Sequence, residues 1–368
     1  MDATLNFRPR RLNMHTPFKI NDREISSQLS PYVIAEISGN HNGSLDKALK
    51  IVDAAHKAGA HAIKLQTYTA DTMTIKSQKP DFMISNGLWA GKSLHELYEW
   101  AHTPWEWHEK IFQHAKDLGL TAFSSPFDDT AVDFLESLNV PAYKIASFEL
   151  NDIPLIKKVA LTGKPIILST GMATLNEIKL AVKSIETTSQ SPICLLHCVS
   201  GYPTPIDECN LNMINVLKES FDLPVGYSGH ELGYLPTLAA VAMGAIAIER
   251  HYTLDNNMTG FDHKMSLNPK DFIAMIRDIA KIFGLSESQF DGIKESRKSS
   301  DKLNPYIVLG CSSNDDFATI RKKYLKLSKE HHPDVLMNKG VPQEVIEESK
   351  KKMRAINSAF DQIEKMKS

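Results

Sequence analysis

Residues 32–67 read YVIAEISGNHNGSLDKALKIVDAAHKAGAHAIKLQT, and this stretch decides the fold. A β-rich run, YVIAEIS, gives way to DKALKIVDAAHKAG, whose apolar residues recur at helical spacing and which stops on Gly59, a favoured helix terminator. A second β-rich run, AIKLQT, follows. Two such runs joined by one helix form a parallel βαβ unit. The alternation continues to Leu254 through TAFSSPF, AYKIAS, PIILSTG, ICLLHCVS, PVGYSGH and AIAIERHYTL, eight runs in all. Their span is close to the roughly 250 residues of a (β/α)8 barrel. PWEWHEKIFQHAKDLG and NEIKLAVKSIE supply further helices. The expectation is an α/β chain with a TIM barrel over residues 32–284.

Outward from the barrel, FKINDREIS reads as a hairpin turning at Asn21-Asp22, placed within an N-terminal extension (1–31) to plug the barrel bottom. After Phe283 the pattern becomes polar and aperiodic, so residues 285–303 read as a linker and 304–368 as a small all-α domain. That tail carries 13 Lys+Arg against 10 Asp+Glu. The whole chain has 368 residues, 42% of them hydrophobic and 23% charged, with a formal net charge of -2. Such a balance sets up no basic field for nucleic acid or an anionic membrane. Four irregularly spaced cysteines, Cys194, Cys198, Cys209 and Cys311, suit neither a disulfide framework nor a CxxC zinc site. The N-terminal MDATLNFRPRRLNMHTPF lacks an apolar signal core, and nowhere do about eighteen apolar residues run together. A cytoplasmic protein with no membrane span is expected.

In a TIM barrel, function sits at the C-terminal ends of the strands. Strand alternation turns Glu36, Lys64 and Lys144 to one face and Ile37, Leu65 and Ile145 to the other. If that first face is the interior, the charges must meet partners. Lys64 and Lys144 then read equally as ion-pair partners of Glu36 or Glu249 and as a phosphate site. Glu249 and His251 share a face, and His230 ends the preceding run at the same level. Two imidazoles on adjacent strands can bind a divalent metal, although a strand-end histidine is more often a hydrogen-bonded structural group.

The motifs AEISGNHNGSLDKAL, AIKLQT, SSPF, YKIAS, ILSTGMAT, LLHCVSGYPTP and ERHYTLD resemble the sialic acid synthase family from about Phe18 to Phe283. GLWAGKSLHELYEWAHTPWEWH is most similar to the pseudaminic acid synthase branch, with the neuraminate and legionaminate branches as alternatives. The resemblance implies that His230 and His251 hold a divalent ion, Mn2+ foremost, with Mg2+ or Co2+ as alternatives. Glu36 would manage protons or the attacking water. Lys64, Lys144, Ser124, Ser147, Ser169 and Ser228 would cradle phosphoenolpyruvate, while Asp262 and Tyr202 would face an acetamido sugar. Gly229 stands where the family usually has Asp, and Ser200 where neuraminate-type members usually have Asn. The family's C-terminal antifreeze-like domain has no counterpart in the sequence, and a homodimer through the barrel mouths is expected.

In its place, PYIVLGCSSNDDFATIRKKYLKLSKEHHPDVL through INSAFDQIEKMK resembles a J-domain, the module that stimulates DnaK-type chaperones. Ile320, Tyr324 and Leu327 share one helix face, and Arg321, Lys322, Lys323 and Lys326 form a basic one, read either as a solvated surface or as a contact for an acidic partner. A second helix buries Ile346, Met353, Ile356, Phe360 and Ile363. Between the helices stands His332-Pro333-Asp334, the family's signature tripeptide, with proline stiffening the loop. Three functions follow: a synthase making a nonulosonic acid with release of phosphate, a co-chaperone or adaptor with an inert barrel, and a phosphoenolpyruvate-dependent synthase acting on an unmodified sugar.

Overall fold

The computed structural model describes residues 18–86, 89–260, 262–284, 309–311, 315–330 and, near the C-terminus, 353, 356–357, 359–361 and 363–364. They divide into two compact units, 1–290 and 291–368. The first begins with an antiparallel hairpin, β1 (Phe18–Ile20) and β2 (Arg23–Ile25), whose turn places Asn21 at φ 51°. Asparagine tolerates that left-handed conformation better than most residues.

Eight parallel strands then close into a barrel: β3 (Tyr32–Glu36), β4 (Ala62–Thr67), β5 (Thr121–Pro126), β6 (Tyr143–Ile145), β7 (Ile166–Ser169), β8 (Ile193–His197), β9 (Val225–Gly229) and β10 (Ala247–His251). Each of the eight sequence runs contributes one strand. β10 closes on β3 with His251 opposite Glu36. The TIM-barrel expectation is met.

Helices pack outside. α1 (Leu45–Ala58) starts where the Ser44 side chain accepts from the Lys47 amide and stops at Gly59, held at φ 101°. Its Ala48, Ile51, Val52 and Ala55 are buried. Each large aliphatic side chain so buried contributes about 1.5–3 kcal/mol. In chain order follow α2 (Ala70–Met73), α3 (Leu94–Ala101), α4 (Trp105–Asp117), α5 (Asp129–Ser137), α6 (Ile153–Leu161), α7 (Leu175–Thr188), α8 (Met213–Phe221), α9 (Leu235–Ala242) and α10 (Pro269–Ile282).

Inside the barrel, Ile34, Ala62, Phe123, Ala142, Ile167, Cys194, Leu196 and Ala247 form an apolar cluster that also takes in Phe18, Ile20 and Ile25 of the hairpin. The hairpin thus closes the floor. One layer further up, at the C-terminal ends of the strands, apolar residues give way to charged ones.

In the second unit, α11 (Phe317–Glu330) presents Ile320 to a small core with Leu309, Ile356, Ala359 and Ile363. Tyr324 stacks on Phe360 at 4.1 Å between ring centroids. Lys322 and Lys326 are exposed. Lys323 departs from the expected basic face: its ammonium donates to the Gly310 carbonyl and to Asp315, both at 2.9 Å. It ties the helix to the preceding loop, and Asp315 raises its pKa. Ile346 and the tripeptide His332-Pro333-Asp334 lie outside the described residues.

Candidate active site

Above the apolar floor, four charged side chains from three neighbouring strands and β6 converge. Lys64 of β4 forms an ion pair with Glu36 of β3, and its ammonium lies 3.6 Å from Oε1 of Glu249 on β10. Lys144 of β6 approaches the same oxygen at 3.8 Å, and the Ser228 hydroxyl donates to it at 3.2 Å. All four charged residues are at most 3% exposed. Burial alone would push Glu249 up, but Lys144 and Lys64 outweigh it and hold the carboxyl at about 2. Burial likewise opposes the charge on both lysines. The two carboxylates overcome it for Lys64, whose pKa is raised, while for Lys144 burial prevails and the pKa is lowered. The ion pairs foreseen for the lysines therefore exist.

A second group stands at the rim. His230 follows β9 and His251 ends β10, with ring centroids 5.5 Å apart. His230 Nδ1 lies 2.7 Å from the Val199 carbonyl oxygen, so it carries the proton and leaves Nε2 with a lone pair. Burial, reinforced by His251, lowers the pKa of His230 to about 3, so the ring is neutral at working pH. Nδ1 of His251 sits 3.3 Å from Oδ2 of Asp262 without a well-aligned hydrogen bond. Tyr202, beside the cis bond to Pro203, covers the face of His230. Ser38 joins the two groups: its amide donates to Glu36 Oε1 at 2.8 Å and its hydroxyl to Asp262 Oδ2 at 2.6 Å.

Ser147 and Ser169 lie beyond the ends of β6 and at the end of β7 respectively. The Ser147 hydroxyl accepts from the Gly171 amide at 3.1 Å and is 3.2 Å from Cys198 Sγ. Ser124 does not join the group. It pairs in register with Leu65 and Tyr143, on the helix-facing side, where its hydroxyl bonds to Thr67 at 2.7 Å. Thr67 in turn bonds to His108 of α4. The neighbouring Ser125 faces inward, with its hydroxyl 3.4 Å from the Lys64 ammonium. Glu149 was not foreseen either. It lies in the short 3-10 turn after β6, with Oε2 buried and unpartnered, and burial raises it to about 7.

Among the described residues no group of three or more His, Cys, Asp or Glu is arranged to hold a metal. Two imidazoles on neighbouring strand ends nonetheless fit a divalent ion whose remaining positions are taken by water or substrate oxygens. The buried, unpartnered Nδ1 of His251 and the free Nε2 of His230 are consistent with that chemistry.

Residues 51–289 match the NeuB family and residues 304–367 the DnaJ domain. A pseudaminic acid synthase of Campylobacter jejuni is 46% identical over 245 residues, covering 67% of this chain and 71% of that one. An N,N'-diacetyllegionaminic acid synthase of the same species is 39% identical over 276 residues, covering 73% and 80%. The crystal structure of an N-acetylneuraminic acid synthetase from Leptospira borgpetersenii, in complex with citrate, superposes with a TM-score of 0.67 at 30% identity, covering 78% of this chain and 98% of that one. The chain belongs to the NeuB family of condensing synthases and carries a DnaJ domain C-terminal to its barrel.

Proposed function

We propose that the barrel condenses phosphoenolpyruvate with an acetamido sugar to form a nonulosonic acid, with pseudaminic acid as the product. The observation that carries this reading is the buried set of Glu36, Lys64, Lys144 and Glu249, joined to the His230–His251 pair where His251 stands opposite Glu36 in register. The two ammonium groups and the hydroxyls of Ser125, Ser147, Ser169 and Ser228 suit a ligand with a phosphate and a carboxylate. A divalent ion held by His230 and His251, Mn2+ foremost, supplies Lewis acidity toward the sugar aldehyde.

The chain's own groups manage the rest. Lys64 and Lys144 hold the phosphoenolpyruvate anion so that its enol carbon faces the aldehyde carbon, and a carbon–carbon bond forms between them. Glu149, protonated up to about pH 7, donates a proton to the resulting alkoxide oxygen. The oxocarbenium-like carbon left behind is captured by water, which Glu36 deprotonates. Phosphate then departs as the carbon–oxygen double bond forms, taking the remaining hydroxyl proton with it, and the lysines compensate its charge. Tyr202 and Asp262 line the sugar side.

The test is mass spectrometry of products from phosphoenolpyruvate, Mn2+ and a panel of N-acetylmannosamine and diacetamido-trideoxyhexoses. A product with the mass of a pseudaminic acid and equimolar phosphate is expected; no turnover with any acetamido sugar would sink the reading. The DnaJ domain supports a second, compatible proposal: the C-terminal unit engages a DnaK-type chaperone through His332-Pro333-Asp334. His332→Gln should then abolish stimulation of the chaperone's ATPase while leaving synthesis intact. Synthesis by the barrel argues against a purely adaptor role. The chain acts in the cytoplasm in this reading, and among the described residues no helix is long and apolar enough to cross a membrane.

A further inference from the structure

On the helix side of the barrel wall, behind the two imidazoles, the residue after His230 and the residue before His251 carry opposite charges and meet. Glu231 is 0% and Arg250 1% exposed. Nη1 of Arg250 donates to Oε1 of Glu231, and also to the Thr237 hydroxyl at 2.8 Å. Nη2 donates to the Glu231 carbonyl at 2.8 Å. The carboxylate accepts further bonds from Thr237 at Oε1 and from the Tyr227 hydroxyl at Oε2, both 3.0 Å. Thr237 belongs to α9, so the pair fastens the end of β10 to the loop leaving β9 and to the helix behind them.

A buried ion pair is a poor source of net stability, because desolvating two charges offsets most of their attraction. What it supplies is a fixed arrangement. Register places Arg250 opposite Gly229, the residue just before His230. A Cβ at position 229 would come within 2.6 Å of Glu231 Oε2 and 2.8 Å of Tyr227 Cε1. Glycine there is a matter of space: it admits the Glu231 carboxylate, which folds back over the end of β9 to reach Arg250.

We propose that Glu231 and Arg250 are the positioning pair that holds His230 and His251 at the separation at which they take one divalent ion, and that Gly229 is the residue that makes room for it. The proposal rests on the reading of the two histidines as the metal site. None of the three residues touches a reacting atom, and each acts through the imidazoles.

The experiment measures Mn2+ affinity of the full chain by electron paramagnetic resonance, without either substrate, alongside thermal melting. Glu231→Gln and Arg250→Lys should each weaken Mn2+ binding about 10-fold or more, the scale on which groups behind metal ligands act. Gly229→Asp should weaken it as well, by crowding. The double change Gly229→Asp with Glu231→Ala returns a carboxylate to nearly the same place and should restore most of the affinity. Thr237→Val removes a bond to each partner at constant volume; folded protein is expected, with a loss of a few-fold, roughly 3. Wild-type affinity in folded Glu231→Gln, or in Thr237→Val should the charged variants not fold, overturns the proposal. If His230→Ala, made alone, leaves Mn2+ affinity at the wild-type value, the metal site itself is misassigned, a different failure that removes this inference with it.

Discussion

The ring of Tyr202 lies against the ring of His230, with centroids 4.2 Å apart and planes 29° from parallel, while half of Tyr202 faces solvent. It also meets His251 edge-on at 6.0 Å. One aromatic side chain therefore shields both imidazoles on the solvent side.

Tyr202→Ala strips this cover. KM for the sugar should rise by about 10-fold, a loss of the order of one aromatic contact, while KM for phosphoenolpyruvate changes little. Steady-state kinetics with each substrate varied in turn checks the split.

Lys144→Met removes one of the two cations that face Glu249. Turnover should fall by about 10^3-fold, as when a preorganised charge is lost from a water-excluded site. The same change leaves Glu249 with Lys64 as its only close cation, so the carboxyl should titrate upward. Carboxyl infrared bands followed across pH report that shift.

Ser124→Ala and Ser125→Ala separate two adjacent hydroxyls. Because Ser124 bonds only outward to Thr67, its loss should cost about 1 kcal/mol of stability and leave KM for phosphoenolpyruvate unchanged. Ser125→Ala should raise that KM with little effect on melting. Equal kinetic effects from both would contradict the strand register.

Burial lifts Glu149 to about 7, well above the ordinary carboxylate range. Between those values the folded chain holds a proton that the unfolded chain has released. Stability should therefore be greatest in mild acid and decline as the pH rises toward 7, by at most about 3 kcal/mol. Glu149→Gln should flatten the decline, measured by denaturant melts from pH 4 to 8. It should also abolish an activity limb near pH 7.

In the second unit Ile320 is fully buried within a core of few residues. Ile320→Ala should destabilise that unit by about 2–5 kcal/mol. Differential scanning calorimetry should show its transition shifting while the barrel's transition, and synthesis, stay in place.

The strands of the barrel were legible because each run is short, β-rich and followed by a helical period, and the stop at Gly59 reads directly as a left-handed cap. Glu36, Lys64 and Lys144 could be assigned to one face by alternation alone. The resemblance named Ser124 for the ligand cradle, whereas Ser125 is the inward one: two adjacent serines look alike in a sequence, and a one-residue slip moves a side chain through the wall. Glu149 was hidden because it lies past the strand, in a 3-10 turn where period two no longer holds. Lys323 looked like its basic neighbours, and only the fold of the preceding loop brings Asp315 to it. The service of Glu231 to the histidines was equally invisible, since it depends on a partner nineteen positions along the chain.

The hairpin of β1 and β2 seals one end of the barrel with Phe18, Ile20 and Ile25. With that end stoppered, everything that reacts must arrive and leave by a single doorway. For the proposed chemistry, the ligand seated on Lys64 and Lys144 lies deeper than anything resting on Tyr202. On that reading phosphoenolpyruvate should enter first and the sugar close over it. A floor built from three apolar side chains would thus set the order in which the proposed substrates meet at the opposite end of the barrel.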